Sequence, residues 1–163
     1  MVFNESITIN NTKNKYIFWD IDGTLAPYRF YNHVGDPNGS NNGMSIEEIE
    51  KGIFLERKPS KLMQKVIKEC QAKENIIMSH CQIPKEVEDK EKWLDQYYPT
   101  IKERLLTFEN IPKVQTILTY CEKHSIPFNQ VLFVDDILPY LREAEKEGIE
   151  AWHISSFLDW DYQ

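Results

Sequence analysis

The sequence predicts a three-layer α/β protein, a parallel sheet with helices on both faces, and three observations predict it. Short, continuous apolar runs recur along the chain, as in strands covered on both faces. Amphipathic stretches of helical period lie between them. The strongest runs end in carboxylates or a hydroxyl, the polar groups expected outside the carboxyl edge of an open parallel sheet.

The first run, Tyr16–Trp19, is bulky and follows a polar leader, so it reads as a buried strand. Residues 76–78 and 131–134 are the second and third runs, and 105–107 and 151–154 are weaker candidates. Leu62, Met63, Val66, Ile67 and Cys70 form one stripe of a helix over 60–72. Val114, Ile117, Leu118 and Cys121 do the same for 112–124. Leu138, Leu141 and Ala144 mark a third helix, with Gly148 suited to follow it as the C′ residue. Strands and helices therefore alternate, which is the order of a Rossmann-like sheet. The stretch 32–45 breaks this pattern, because ten of its fourteen residues are Gly, Asn, Pro or Ser. It reads as a flexible loop at about 31–45, either touching substrate or simply covering the surface.

A chain of 163 residues allows one domain over 1–163, large enough to bury a core without disulfides or a structural metal. Its three cysteines, Cys70, Cys81 and Cys121, are odd in number and widely spaced, which fits neither a disulfide frame nor a zinc motif. Lys and Arg total 19 against 26 Asp and Glu, so a nucleic-acid partner is not expected. No apolar run approaches the length of a membrane span, and residues 1–15 hold no signal-peptide core. The expectation is a soluble cytoplasmic protein with no membrane partner.

The chemistry gathers where strands end. Trp19-Asp20-Ile21-Asp22-Gly23-Thr24-Leu25 sets two carboxylates on the exit of the first strand, with a glycine that permits a tight turn. The third run ends at Val134-Asp135-Asp136 and the second at Ser79-His80. If these strands are neighbours, Asp20, Asp22, Asp135 and Asp136 converge on one crevice. Two like charges about 4 Å apart repel by about 4 kcal/mol at an effective dielectric near 20, so either protons or a cation must enter. Hard oxygen donors with room for water and phosphate suit Mg²⁺ better than Zn²⁺. Taken singly, each piece has a plain structural explanation. Asp-x-Asp pairs are common, Asp135-Asp136 could cap a helix, and Ser79 could be a turn hydroxyl.

In this order, the motifs resemble those of the haloacid dehalogenase superfamily. The segment from Phe18 to Leu25 is similar to its first motif, and Ile76-Ile77-Met78-Ser79 to its second. Lys113, opening a helix before the last core strand, resembles the third, and Phe133-Val134-Asp135-Asp136 the fourth. The resemblance covers about 14–155. It implies a Mg²⁺-dependent phosphatase in which Asp20 attacks phosphorus and Asp22 serves as general acid and base. It implies further that Ser79 and Lys113, with Gly23 and Thr24, hold the phosphoryl oxygens. Mg²⁺ would sit among Asp20, Asp22 (through its carbonyl), Asp135 and Asp136, the last orienting either bound water or Lys113. Lys102 is the rival for the lysine role. Residues 52–59 and Lys90-Glu91-Lys92-Trp93-Leu94 are similar to segments of the 5′(3′)-deoxyribonucleotidase group. Thr24 and His80-Cys81 depart from that group's pattern. The substrate implied is a phosphorylated small molecule or a nucleotide. The alternative is a non-catalytic phosphate-binding or protein-interaction module on the same fold.

The 58 residues between Asp20 and Ser79, and the 33 between Ser79 and Lys113, leave no room for a full cap domain. Lys58, Lys61, Lys65 and Lys68 read as a solvated helix face, and Trp93, Trp152 and Trp160 as packing residues. His80 could contact substrate, whereas Cys81 lacks a basic neighbour that would activate a thiolate.

Overall fold

The computed structural model describes residues 5–27 and 44–162, so 31–43 of the expected loop lie outside the described residues. Five strands form one all-parallel sheet: β1 (Tyr16–Trp19), β2 (Glu74–Cys81), β3 (Glu103–Phe108), β4 (Val131–Asp135) and β5 (Glu150–His153). Their order across the sheet is β3-β2-β1-β4-β5, which brings the three carboxyl ends that carry polar motifs side by side. All four pairings are parallel, so every connection must cross over, and helices supply the crossovers.

The helices are α1 (Ile9–Thr12), α2 (Ile46–Glu50), α3 (Lys61–Glu69), α4 (Pro84–Tyr97), α5 (Lys113–His124) and α6 (Leu138–Lys146). Strand alternation sends Ile17, Trp19, Ile77, Leu132 and Val134 to one face, where they pack with Met63 and Val66 of α3 and Trp93 and Leu94 of α4. Phe18, Ile76, Met78, Val131 and Phe133 go to the other face, against Val114, Ile117 and Cys121 of α5 and Leu141 and Ala144 of α6. The expected three-layer architecture is therefore the observed one.

Local chemistry explains the boundaries. Ser60 Oγ accepts the N–H of Met63 at 3.2 Å and starts α3. Ser45 and Glu48 form a reciprocal capping box on α2. Pro84 opens α4 at a position where its missing N–H costs nothing. Gly148 takes φ +81° just beyond α6, the left-handed geometry expected of it. Besides the short helices α1 and α2, which have no expected counterpart, two features differ from the sequence reading. β2 runs through Ser79 to Cys81 instead of stopping at 78, because Ser79, His80 and Cys81 pair with Leu106, Thr107 and Phe108. And α4, a helix of fourteen residues, has no counterpart among the expected elements. Among the described residues, no helix is long and apolar enough to cross a membrane.

Candidate active site

β1 delivers Asp20 immediately beyond its last residue, and the chain then turns back on itself. The N–H groups of Thr24 and Ala26 both donate to the Ile21 carbonyl, at 3.1 and 2.9 Å, and that of Gly23 to the Ala26 carbonyl at 2.9 Å. Gly23 sits at φ +80°, where any side chain would strain the turn. Thr24 is buried, its hydroxyl 3.5 Å from Asp20 Oδ2. β4, in register beside β1, ends at Asp135, and Asp136 follows.

Lys113, the first residue of α5, reaches this edge from the second helical layer. Its Nζ donates to Asp20 Oδ1 at 2.7 Å and to Asp135 Oδ2 at 2.8 Å. Asp135 Oδ1 accepts the N–H of Ile137 at 2.8 Å. Carboxylate oxygens of Asp20, Asp135 and Asp136 lie within 4.8 Å of one another. Asp136 Oδ1 is buried with no hydrogen-bond partner among the described residues, and Lys113 bonds Asp135 instead of Asp136. Burial pushes the Asp20 carboxyl up to about 7, with Asp135 and Asp22 adding repulsion that Lys113 only partly cancels. Burial likewise raises Asp136 to about 6, helped by the charge of Asp20, and lifts Asp135.

Asp22 lives in a different environment. Arg57 Nη1 donates to its Oδ1 at 2.5 Å and Lys90 Nζ to its Oδ2 at 2.6 Å. Burial alone would raise this carboxyl, but Lys90 and Arg57 overcome it and hold the group below the usual carboxylate range. Arg57 is tied in turn to the Ala26 carbonyl at 2.5 Å and lies over the Phe54 ring. Lys90 is fully buried and also meets Glu86, Ser79 and the His80 carbonyl.

Charge is thus divided unevenly. Asp22 and Glu86 face two cations, Arg57 and Lys90, and balance. Among the described residues, Asp20, Asp135 and Asp136 face one cation, Lys113, which leaves two negative charges in excess when all three are ionised. An orphaned buried oxygen and surplus negative charge, offered by oxygen donors alone, fit a hard divalent cation.

The structure brings Asp20, Lys113, Asp135 and Asp136 into direct contact range, with Gly23 and Thr24 in the turn beside them. It brings Ser79 to Asp22 through Lys90, and it aims the Asp22 carboxylate at Arg57 and Lys90 instead of at the other three carboxylates. Lys102 is exposed ahead of β3. His80 lines the cleft together with Asp20, Asp22, Glu86, Lys113 and Tyr140, its Nε2 2.7 Å from the Ile111 carbonyl. Burial pushes the Cys81 thiol up to about 12, the opposite of an activated nucleophile. Lys58, Lys61, Lys65 and Lys68 are exposed, and Trp93 and Trp160 are buried. Arg57, Glu86 and Lys90 are the site groups that sequence reasoning missed. Arg57 and Lys90 lie in the two segments similar to deoxyribonucleotidases, and that similarity was the available signal.

No family model matches the chain. Over 129 residues it is 30% identical to part of the protein translocase subunit SecA of Endomicrobium trichonymphae, a match covering 78% of this chain and 14% of that protein. The chain therefore spans about one seventh of the length of this curated relative. Among solved structures, a putative phosphoglycolate phosphatase from Lactobacillus plantarum superimposes with a TM-score of 0.59 at 14% identity, covering 93% of this chain and 92% of that one. The N-terminal part of protein BF1531 from Bacteroides fragilis, containing a phosphatase domain complexed with Mg, gives 0.53 at 18% identity over 94% of this chain and 40% of that one. The UTR4 protein of Saccharomyces cerevisiae gives 0.51 at 15% identity, with 85% and 88% covered. These likenesses establish the fold, a parallel α/β/α architecture shared with these three structures.

Proposed function

We propose that this chain is a Mg²⁺-dependent phosphatase of the haloacid dehalogenase type, hydrolysing a phosphomonoester through an aspartyl-phosphate on Asp20. The observation that carries the reading is the uneven charge: three carboxylates within 4.8 Å, two of them on a single lysine, beside a fourth paired with two cations. Asp20, Asp135 and Asp136 would hold the metal, with the Asp22 carbonyl as the fourth protein ligand that the resemblance implies. Bound there, Mg²⁺ supplies positive charge that lets an anionic nucleophile and an anionic phosphate meet.

The chain's own groups divide the remaining work. Asp20, held through Oδ1 by Lys113, keeps Oδ2 for attack on phosphorus, forming an O–P bond as the ester oxygen departs. Asp22, ionised while Lys90 and Arg57 hold it, must first take up a proton from solvent to give one to that oxygen, and, ionised again, it later takes one from the water that cleaves the aspartyl-phosphate. To do either, one of its oxygens must leave Lys90 or Arg57 and turn toward the cleft. Lys113 and Ser79 face charge that spreads over the phosphoryl oxygens, whereas the N–H groups of Gly23 and Thr24, expected to help them, are spent on the Ala26 and Ile21 carbonyls. Within this chemistry, the two deoxyribonucleotidase-like segments make a nucleoside monophosphate the first natural substrate to test.

The similarity to a stretch of a translocase subunit favours a second reading, a non-catalytic module that works as part of a far longer protein. One experiment separates the two. A panel of phosphomonoesters, including p-nitrophenyl phosphate and nucleoside monophosphates, is incubated with Mg²⁺ and with EDTA. Turnover that disappears with EDTA and returns with Mg²⁺ is expected of the phosphatase. No turnover of any ester would leave the module, and undiminished turnover in EDTA would remove the metal from the mechanism.

A further inference from the structure

Lys90 is more deeply committed than a counter-ion for Glu86 needs to be. Its Nζ is fully buried and has four oxygens around it: Asp22 Oδ2 at 2.6 Å, the His80 carbonyl at 2.6 Å, Glu86 Oε1 at 3.0 Å and Ser79 Oγ at 3.1 Å. Burying an ammonium is costly, and the i,i+4 pair with Glu86 on the same helix would already balance its charge. The side chain instead carries its donors past Glu86 to the edge of the sheet.

The consequence falls on Ser79. An ammonium has three donors and no acceptor, so Ser79 Oγ can only accept from it. The Ser79 hydroxyl then keeps a single proton to donate. Its internal acceptor, the His80 carbonyl, stands at 3.5 Å and already receives a much shorter bond from Lys90. The proton is therefore left for a third group at the strand end, where Ser79, itself fully buried, precedes the cleft-lining His80 and shares Lys90 with the cleft-lining Asp22. The same ammonium holds Asp22 Oδ2, so one nitrogen fixes both the hydroxyl and the carboxylate.

We propose that Lys90 is a positioning residue of the active site: it turns the Ser79 hydroxyl outward as a donor to the phosphoryl group and holds Asp22 beside it. This rests on the phosphatase reading for its rate effects, but not for its effect on phosphate binding. Lys90 acts through Ser79 and Asp22 without touching the substrate. A purely structural Lys90, serving only to neutralise Glu86, is the competing explanation.

The test removes the cation without stranding its partner. Lys90→Met is combined with Glu86→Gln, and compared with Glu86→Gln alone, with Ser79→Ala, and with all three changes together. Thermal melts confirm folding. Values of kcat and KM are measured on p-nitrophenyl phosphate with Mg²⁺, and the affinity for orthophosphate is measured by calorimetry. Relative to Glu86→Gln, adding Lys90→Met should lower kcat by about 100-fold with a much smaller change in KM, the loss typical of one oriented transition-state donor. Orthophosphate affinity should fall by about tenfold, and adding Ser79→Ala should cost less than about threefold more, since residues acting as one unit are not additive. A kcat and an orthophosphate affinity both within about threefold of the Glu86→Gln reference would make Lys90 structural and overturn the proposal, as would a full multiplicative loss on adding Ser79→Ala. If the combined variant does not fold, Lys90→Arg decides, because it keeps the charge but cannot reproduce the compact ammonium geometry. Retention of kcat and orthophosphate affinity by that variant overturns the proposal, and their loss in a folded Lys90→Arg protein supports it. A parent chain that binds orthophosphate but turns over no ester ends the phosphatase reading and leaves the Lys90 comparison to the binding arm. A parent that does neither ends both.

Discussion

At Asp20 and Asp22, two carboxylates with one residue between them, the surroundings divide the labour that composition leaves undivided. Asp20 shares one lysine with Asp135, whereas Asp22 is paired with both Arg57 and Lys90, the latter shared with Glu86. The lysine assignment can be tested directly. Lys113→Ala should lower kcat/KM on an aryl phosphate by about 100-fold or more, while Lys102→Ala, at an exposed position, should change it by less than about threefold. Equal losses in steady-state kinetics would mean that the phosphate is held elsewhere. The raised carboxyl of Asp20 makes a separate prediction for the metal-free chain. The folded state binds that proton more tightly than the unfolded state does, so the group favours folding at low pH. That contribution is lost as pH climbs toward about 7. Asp20→Asn cannot ionise, so without divalent cations its melting temperature should gain on the parent's between about pH 4 and about pH 7. A gap that stays constant across that range would show that Asp20 is not held protonated by its surroundings.

At the scale of elements, α4 separates what could be read from what could not. Its inward face carries Glu86, Asp89 and Lys90 together with Trp93 and Leu94, so a helix that buries one face presents a largely charged sequence. Periodicity arguments rest on apolar residues marking the buried side, and here the site has replaced several of them with ionic partners. β2 was read short for a related reason, since its last three residues are polar or small and are extended by pairing with β3. Trp93 links this helix to the site. It is fully buried, its Nε1 donates to the Arg57 carbonyl at 2.9 Å, and its ring lies 5.8 Å from that of Phe54. Trp93→Ala should cost about 3–5 kcal/mol in urea denaturation, the range for deleting a large buried aromatic. A loss below about 1 kcal/mol would mean that α4 is not pinned through this residue.

Over the whole molecule, the order of elements and the parallel sheet were legible because strands buried on two faces leave an unmistakable apolar trace. The convergence of Asp20, Asp135 and Asp136 was legible too, since a parallel order puts the ends of β1 and β4 together. What sequence could not give was the partner of Asp22. Arg57 comes from the segment before α3 and Lys90 from α4, and only the packing of those pieces over β1 and β2 joins them. The uneven distribution of cations follows from that packing, and on it rests the proposal that phosphoryl transfer runs through Asp20. The most direct measurement is mass spectrometry of Asp22→Asn after incubation with p-nitrophenyl phosphate and Mg²⁺. Nitrophenolate leaves with little proton donation, so the first step should proceed while attack by water on the intermediate stalls. The expected result is at most one equivalent of nitrophenol per chain and a phosphoryl group on Asp20, neither of which should appear in Asp20→Asn. An adduct on another residue, or steady turnover by Asp20→Asn, would contradict a nucleophilic role for Asp20.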